Sequence, residues 1–78
     1  NDSDFGLTSG IVTDSLRHAN HFKRKSQSGC VMVNLPTAGT DYHVPFGGRK
    51  ASSYGPREQG QYAKEFFTTV KTSYISSA

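Results

Sequence analysis

Apolar and polar positions follow three different rhythms along this chain. Gly10-Ile11-Val12-Thr13 is a short apolar run with the character of a buried strand. Over 14–28, Leu16, Ala19 and Phe22 recur at i, i+3 and i+6, the inner stripe of an amphipathic helix that Thr13 or Asp14 can N-cap. Lys23, Arg24 and Lys25 gather late in that helix, where cations complement its dipole, and Gly29 stands where a glycine C-cap is expected. Cys30-Val31-Met32-Val33 is apolar without alternation, so it reads as a strand covered on both faces, as in parallel sheets. Strand, helix and strand together predict a βαβ unit of the α/β class. Neither strand has further sheet neighbours in the pattern, so much of the sheet is expected elsewhere.

After Asn34 the rhythm is lost. Residues 35–55 carry glycines at 39, 47, 48 and 55 and prolines at 36 and 45, which predicts a long loop with little regular structure. Loops of this length in compact domains tend to be functional. Pro56 suits the first position of a second helix running to about Phe67, with Tyr62, Ala63, Phe66 and Phe67 on one face. From Thr68 the period changes to two, with Val70, Thr72 and Tyr74 opposite Lys71, Ser73 and Ile75. That β-branched segment predicts a terminal strand whose edge must be covered by another segment or subunit.

Composition changes the picture in one respect. With 78 residues, 33% hydrophobic, and a mean hydropathy of −0.59, the apolar supply is thin for a self-sufficient core. Together with the missing initiator methionine, this suggests a piece of a longer protein. One cysteine excludes an internal disulfide and a Cys-based metal site. No apolar stretch approaches the roughly 18 residues of a membrane span, and the N-terminus has neither the basic nor the apolar region of a secretory signal. A soluble, reduced, cytoplasmic protein is expected, with no membrane partner.

The net charge of +3 permits a second reading, a small basic interaction module that binds nucleic acid or an acidic partner. The only dense basic run, Lys23-Arg24-Lys25, has no interleaved aromatics and reads as a solvated helix end, so no nucleic acid is expected. A third reading is a structural assembly piece that pairs with another copy through its last strand.

The candidate chemistry is sparse. Cys30 opens an apolar run, where a free cysteine behaves as a small hydrophobe rather than a nucleophile. His18 and His21 can share a helix face, but no carboxylate or cysteine completes a ligand set beside them. His43 lies in the loop next to Asp41 and Tyr42 and reads as a hydrogen-bonded loop histidine before a general base. Gly47-Gly48-Arg49-Lys50 lacks P-loop spacing and reads as a tight turn that lets backbone approach a neighbouring element. No metal site and no catalytic constellation can be built from these residues.

Several motifs nevertheless occur in a recognisable order. They are Phe5-Gly6-Leu7-Thr8-Ser9-Gly10-Ile11-Val12-Thr13, Gly29 with Val31-Met32-Val33-Asn34, Pro45-Phe46-Gly47-Gly48-Arg49-Lys50-Ala51-Ser52, Gly55 with Arg57-Glu58-Gln59-Gly60, and Val70-Lys71-Thr72. Over nearly its whole length the chain resembles the C-terminal portion of the aldehyde dehydrogenase superfamily. Residues 34–39 and 52–60 are most similar to its α-ketoglutaric semialdehyde (2,5-dioxopentanoate) dehydrogenase subgroup. The resemblance implies an α/β fragment in which 1–67 ends the catalytic domain, with a loop at about 35–55 lining the substrate tunnel. Residues 68–78 would be an oligomerisation strand and tail in a dimeric or tetrameric parent.

It also implies NAD or NADP as cofactor. The dinucleotide site, the nucleophilic cysteine and the general base would all lie in the upstream part of the same polypeptide. No catalytic residue is then expected here, and Cys30 is not at the nucleophile's position. Thr40 and Phe46 match tunnel-lining, substrate-binding positions. A Thr40 hydroxyl suits a carboxylate-bearing aldehyde, and Phe46 would pack on its apolar part. Ser53 and Pro56 depart from the usual family wording of the loop.

Overall fold

The computed structural model describes residues 1–77. Its elements are short: β1 (Phe5–Gly6), β2 (Thr8–Ile11), α1 (Leu16–Lys25), β3 (Cys30–Val33), β4 (Arg49–Lys50), a single 3₁₀ turn (Gly60–Tyr62) and α2 (Ala63–Phe67). β2 and β3 pair in parallel, Thr8 opposite Cys30 through Ile11 opposite Val33, with α1 as the connection between them. β1 pairs with β4 antiparallel, Phe5 opposite Lys50 and Gly6 opposite Arg49. The result is a mixed α/β arrangement built around one βαβ unit.

β3 has the bounds its apolar run predicts. β2 begins earlier than expected, at Thr8, and stops at Ile11, which leaves Val12 91% exposed. The ladder is set by its partner: four residues of β3 can register only four of β2. Beyond it, Asn34 accepts from the Thr13 N–H and donates to the Thr13 carbonyl, both at 2.9 Å. Asn34 does this from φ 56, a left-handed conformation that asparagine tolerates better than most residues.

The helix is shorter than the 14–28 expected, because neither Thr13 nor Asp14 caps it. Ser15 does, in extended conformation, its hydroxyl accepting the His18 N–H at 3.2 Å. Thr13 instead accepts from the Ser15 N–H at 3.1 Å, one step outside the helix. The helix ends where Ser26 turns extended, its N–H still bonded to the Phe22 carbonyl. Gly29 is therefore not the C-cap. Of the expected inner stripe, Ala19 is buried and Phe22 half-buried, while Leu16 is 77% exposed. The basic run occupies the last turn, as read from the sequence.

The second helix departs further from expectation. Pro56 does not start it, because Glu58 exchanges backbone hydrogen bonds with Phe46 at 2.7 and 2.8 Å. Gln59 and Gly60 then take φ 61 and φ 54, which no right-handed helix accommodates, so winding begins only after them, within the 3₁₀ turn Gly60–Tyr62. The terminal segment forms no strand: residues 68–77 carry no helix or ladder, and Val70, Tyr74 and Ile75 are all at least 94% exposed. A strand exists only through its ladder, and no edge among the described residues pairs with it.

The core is as thin as the composition implies. Ala19 is the one buried hydrophobic residue among those described. The Cα radius of gyration is 17.6 Å, against about 11–12 Å for a compact domain of this length. Exposed apolar side chains in this number mark surface that another surface covers.

Candidate functional site

The loop after β3 is shaped by backbone contact. A Cβ at Gly29 would fall 1.8 Å from the Gly47 carbonyl oxygen and 2.7 Å from Gly48 Cα, so only glycine lets the loop lie this close to the start of β3. The Cys30 thiol donates to the same Gly47 carbonyl at 3.6 Å. Arg57 Nη1 donates to the Gly48 carbonyl at 2.6 Å, and the Gly48 N–H donates to Ser53 Oγ at 2.7 Å. Ser52 Oγ accepts the Gly6 N–H at 2.8 Å, which ties β1 to the same turn. Gly47 and Gly48 are buried within these contacts. The glycine pair thus lets backbone approach a neighbouring element, as anticipated, but it is not itself a tight turn: the turn follows it, where the Ser52 N–H donates to the Arg49 carbonyl at 3.2 Å. Both glycine carbonyls and the Gly48 amide are occupied within the protein.

Between β3 and this loop lies a cavity of about 450 Å³, within the range typical of small-molecule sites, roughly 300–1,000 Å³. Thr40 and Phe46, the two residues singled out from the sequence, both line it and are both half-buried. Cys30, Met32, Leu35 and Asp41 share its walls. The lining is mainly apolar, with a hydroxyl, a thiol and a carboxylate as its polar side chains. Such a lining can hold a short aliphatic chain and present a hydrogen-bond donor to a polar end.

A larger hollow of about 700 Å³ lies on the other side of the loop, between Tyr42, His43, Gln59 and the aromatic face of α2. Its walls include Phe66 and Phe67, 48% and 80% exposed, so it is an open apolar trough rather than an enclosed site. Gln59 Oε1 is buried without a hydrogen-bond partner among the described residues. The smaller cavity is the candidate site, because polar and apolar groups converge in it.

The remaining sequence candidates are placed as follows. Cys30 serves the loop contact just described. His18 and His21 lie on the exposed face of α1 beside Arg17 and Arg24, and no group of three metal-ligating side chains occurs among the described residues. His43 is hydrogen-bonded, its Nδ1 2.7 Å from Asp41 Oδ1 and its backbone N–H donating to the same oxygen at 2.9 Å. The His43 backbone N–H first, and the ring second, hold the Asp41 carboxyl below its ordinary value of 3.8. The Tyr42 ring leans on the imidazole, centroids 3.8 Å apart.

Sequence reasoning missed Arg57 as the residue holding the glycine pair, and Asp41 as the partner of His43. The second was detectable, since an aspartate two residues before another backbone N–H is the spacing of an Asx turn. No feature of the sequence marked the Arg57 contact, which spans nine positions.

Residues 1–73 match the aldehyde dehydrogenase family. The chain is 47% identical over 97% of its length to an α-ketoglutarate semialdehyde dehydrogenase of Haloferax volcanii, covering 16% of that protein. It is 41% identical over 96% of its length to an α-ketoglutaric semialdehyde dehydrogenase of Bacillus subtilis, covering 15% of it. A 2,5-dioxopentanoate dehydrogenase of Saccharolobus solfataricus is 39% identical over 91% of the chain, which again covers 15% of that relative. The chain therefore spans about one sixth of the length of the curated relatives it matches.

Proposed function

Since this chain belongs to the aldehyde dehydrogenase family, we propose that it is the closing section of an enzyme that oxidises a semialdehyde acid, α-ketoglutaric semialdehyde foremost. In that reaction the aldehyde and water give a carboxylic acid, and the hydride passes to NAD or NADP. The reading draws on the names of the three relatives above and on one observation in this chain: Thr40 and Phe46 line the same cavity. The Thr40 hydroxyl donates to the carboxylate at the substrate's far end, and the Phe46 ring packs on its methylenes. Both contacts bind and orient the aldehyde.

The residues present do not fit a dinucleotide. The glycine pair, which superficially resembles a phosphate cradle, is filled by Arg57 and by the Gly29 backbone. Nor does Cys30 suit attack on an aldehyde, since its thiol donates to Gly47. Cofactor, nucleophile and base belong, in this proposal, to the remainder of the polypeptide, which also covers the exposed apolar faces of β2, α1 and α2. The isolated 78 residues are then silent in an aldehyde-dependent NAD(P) reduction assay. Residues 68–78 pair with a second subunit, which accounts for a β-branched segment left exposed in the single chain.

The test is the whole enzyme with Thr40→Val, an isostere lacking the hydroxyl. KM for α-ketoglutaric semialdehyde rises about five- to tenfold, the loss of one hydrogen bond to a charged group. KM for pentanal, which has no carboxylate, stays unchanged, as does kcat for both. An equal effect on the two aldehydes would remove Thr40 from the carboxylate subsite.

A further inference from the structure

Gly39, before Thr40, has φ +76, and a Cβ added there would meet nothing within 4 Å. After it the chain is heavily constrained. The Asp41 carboxylate accepts both the His43 N–H, at 2.9 Å, and His43 Nδ1, at 2.7 Å. The Asp41 carbonyl accepts the Val44 N–H at 3.4 Å, which closes a turn over 41–44. That turn is anchored in turn to the Arg57–Gly60 strip. The Tyr42 carbonyl accepts the Gly60 N–H at 3.1 Å, and Phe46 and Glu58 exchange both backbone bonds. A Cβ at Gly60 would lie 2.7 Å from the His43 carbonyl, so the two strips are in direct contact.

From this geometry we infer that Asp41 is a positioning residue. By tying His43 back onto itself it sets the turn that presents Thr40 to the cavity, and so determines the preference for a carboxylate-bearing aldehyde over a neutral one. The inference rests on the semialdehyde-acid reading. It also accounts for a carboxylate on the wall of a cavity assigned to an anionic substrate. Asp41 Oδ1 is engaged by the His43 amide and ring, which directs that oxygen into the loop.

The experiment uses the whole enzyme and measures kcat and KM for α-ketoglutaric semialdehyde and for pentanal. Asp41→Ala raises KM for the acid about fivefold at constant kcat, the effect of a lost side-chain hydrogen bond, and leaves pentanal unchanged. Asp41→Asn keeps the acceptor oxygen and stays within about twofold of wild type. Because Asp41 acts through Thr40, Asp41→Ala adds nothing in a Thr40→Val background. Should Asp41→Ala yield insoluble protein, Asp41→Gly, which also lacks the acceptor, replaces it and is read by the same split between the two aldehydes. Additive effects in the double variant, or a preference unaltered by loss of Asp41, overturn the inference alone. A wild type that does not distinguish the acid from pentanal overturns the substrate reading and this inference with it.

Discussion

Replacing Gly29 with alanine tests the contact that forms the cavity's wall. Gly29 does not have positive φ, so alanine is conformationally allowed, and the stiffer unfolded chain favours it by about 0.4–1 kcal/mol. Sterics oppose this. The new methyl would lie 1.8 Å from the Gly47 oxygen and 2.7 Å from both Gly47 C and Gly48 Cα, where ordinary contact starts at 3.4 Å. Every one of those atoms is backbone, so no side chain can rotate away. Overpacking typically costs about 1–3 kcal/mol, and a clash between two backbones belongs at the upper end. The methyl also intrudes beside the Cys30 thiol's bond to the same oxygen. Net destabilisation of about 2 kcal/mol follows, which lowers the melting temperature by about 4–8 °C in a domain of 150–250 residues. Differential scanning calorimetry of the whole enzyme measures it. Gly10→Ala is the control, because its nearest neighbour is the Thr37 methyl at 3.1 Å, a side chain that can turn; it stays within about 1 kcal/mol of wild type. A Gly29→Ala protein that melts with the wild type would mean the loop does not lie against β3, and the cavity would lose its wall.

Other outcomes follow from the same contacts. Ser15→Ala removes the acceptor for the His18 N–H and costs about 1 kcal/mol, read as a lower denaturant midpoint with unchanged slope. The Asp41 carboxyl titrates below its ordinary 3.8 in the folded chain, so its contribution to loop stability is full above that value. The contribution is lost as pH falls through the lower folded value; amide exchange at His43 should accelerate there, and Asp41→Asn should abolish that acid dependence. Truncation after Phe67 removes the exposed terminal segment, and light scattering should then report smaller assemblies than wild type. An unaltered assembly would dissociate residues 68–78 from subunit contact.

Local sequence carried much of this architecture. β3 was legible to the residue because four successive apolar residues suit a strand covered on both faces. The stripe of α1 was legible because Ala19 and Phe22 recur at helical spacing, and its basic last turn because charge runs report their own solvation. Thr40 and Phe46, singled out through the motif that surrounds them, line one cavity; the Asp41–His43 pairing was missed, although its spacing is that of an Asx turn. Gly29, in contrast, was misread as a helix cap. A glycine required for close approach looks the same in sequence as one required for a turn.

By itself, the sequence determined the family, the βαβ order and the residue types of the loop after β3, since each depends on neighbours within a few positions or on motif wording. Tertiary structure decided which backbone groups meet. Phe46 claims Glu58 and so delays α2 by several residues; Arg57 and Gly29 close on the glycine pair; the last β-branched segment stays without a ladder among the described residues. Backbone hydrogen bonding is chemically identical at every residue, so its long-range pairing is selected by packing, which no local pattern encodes.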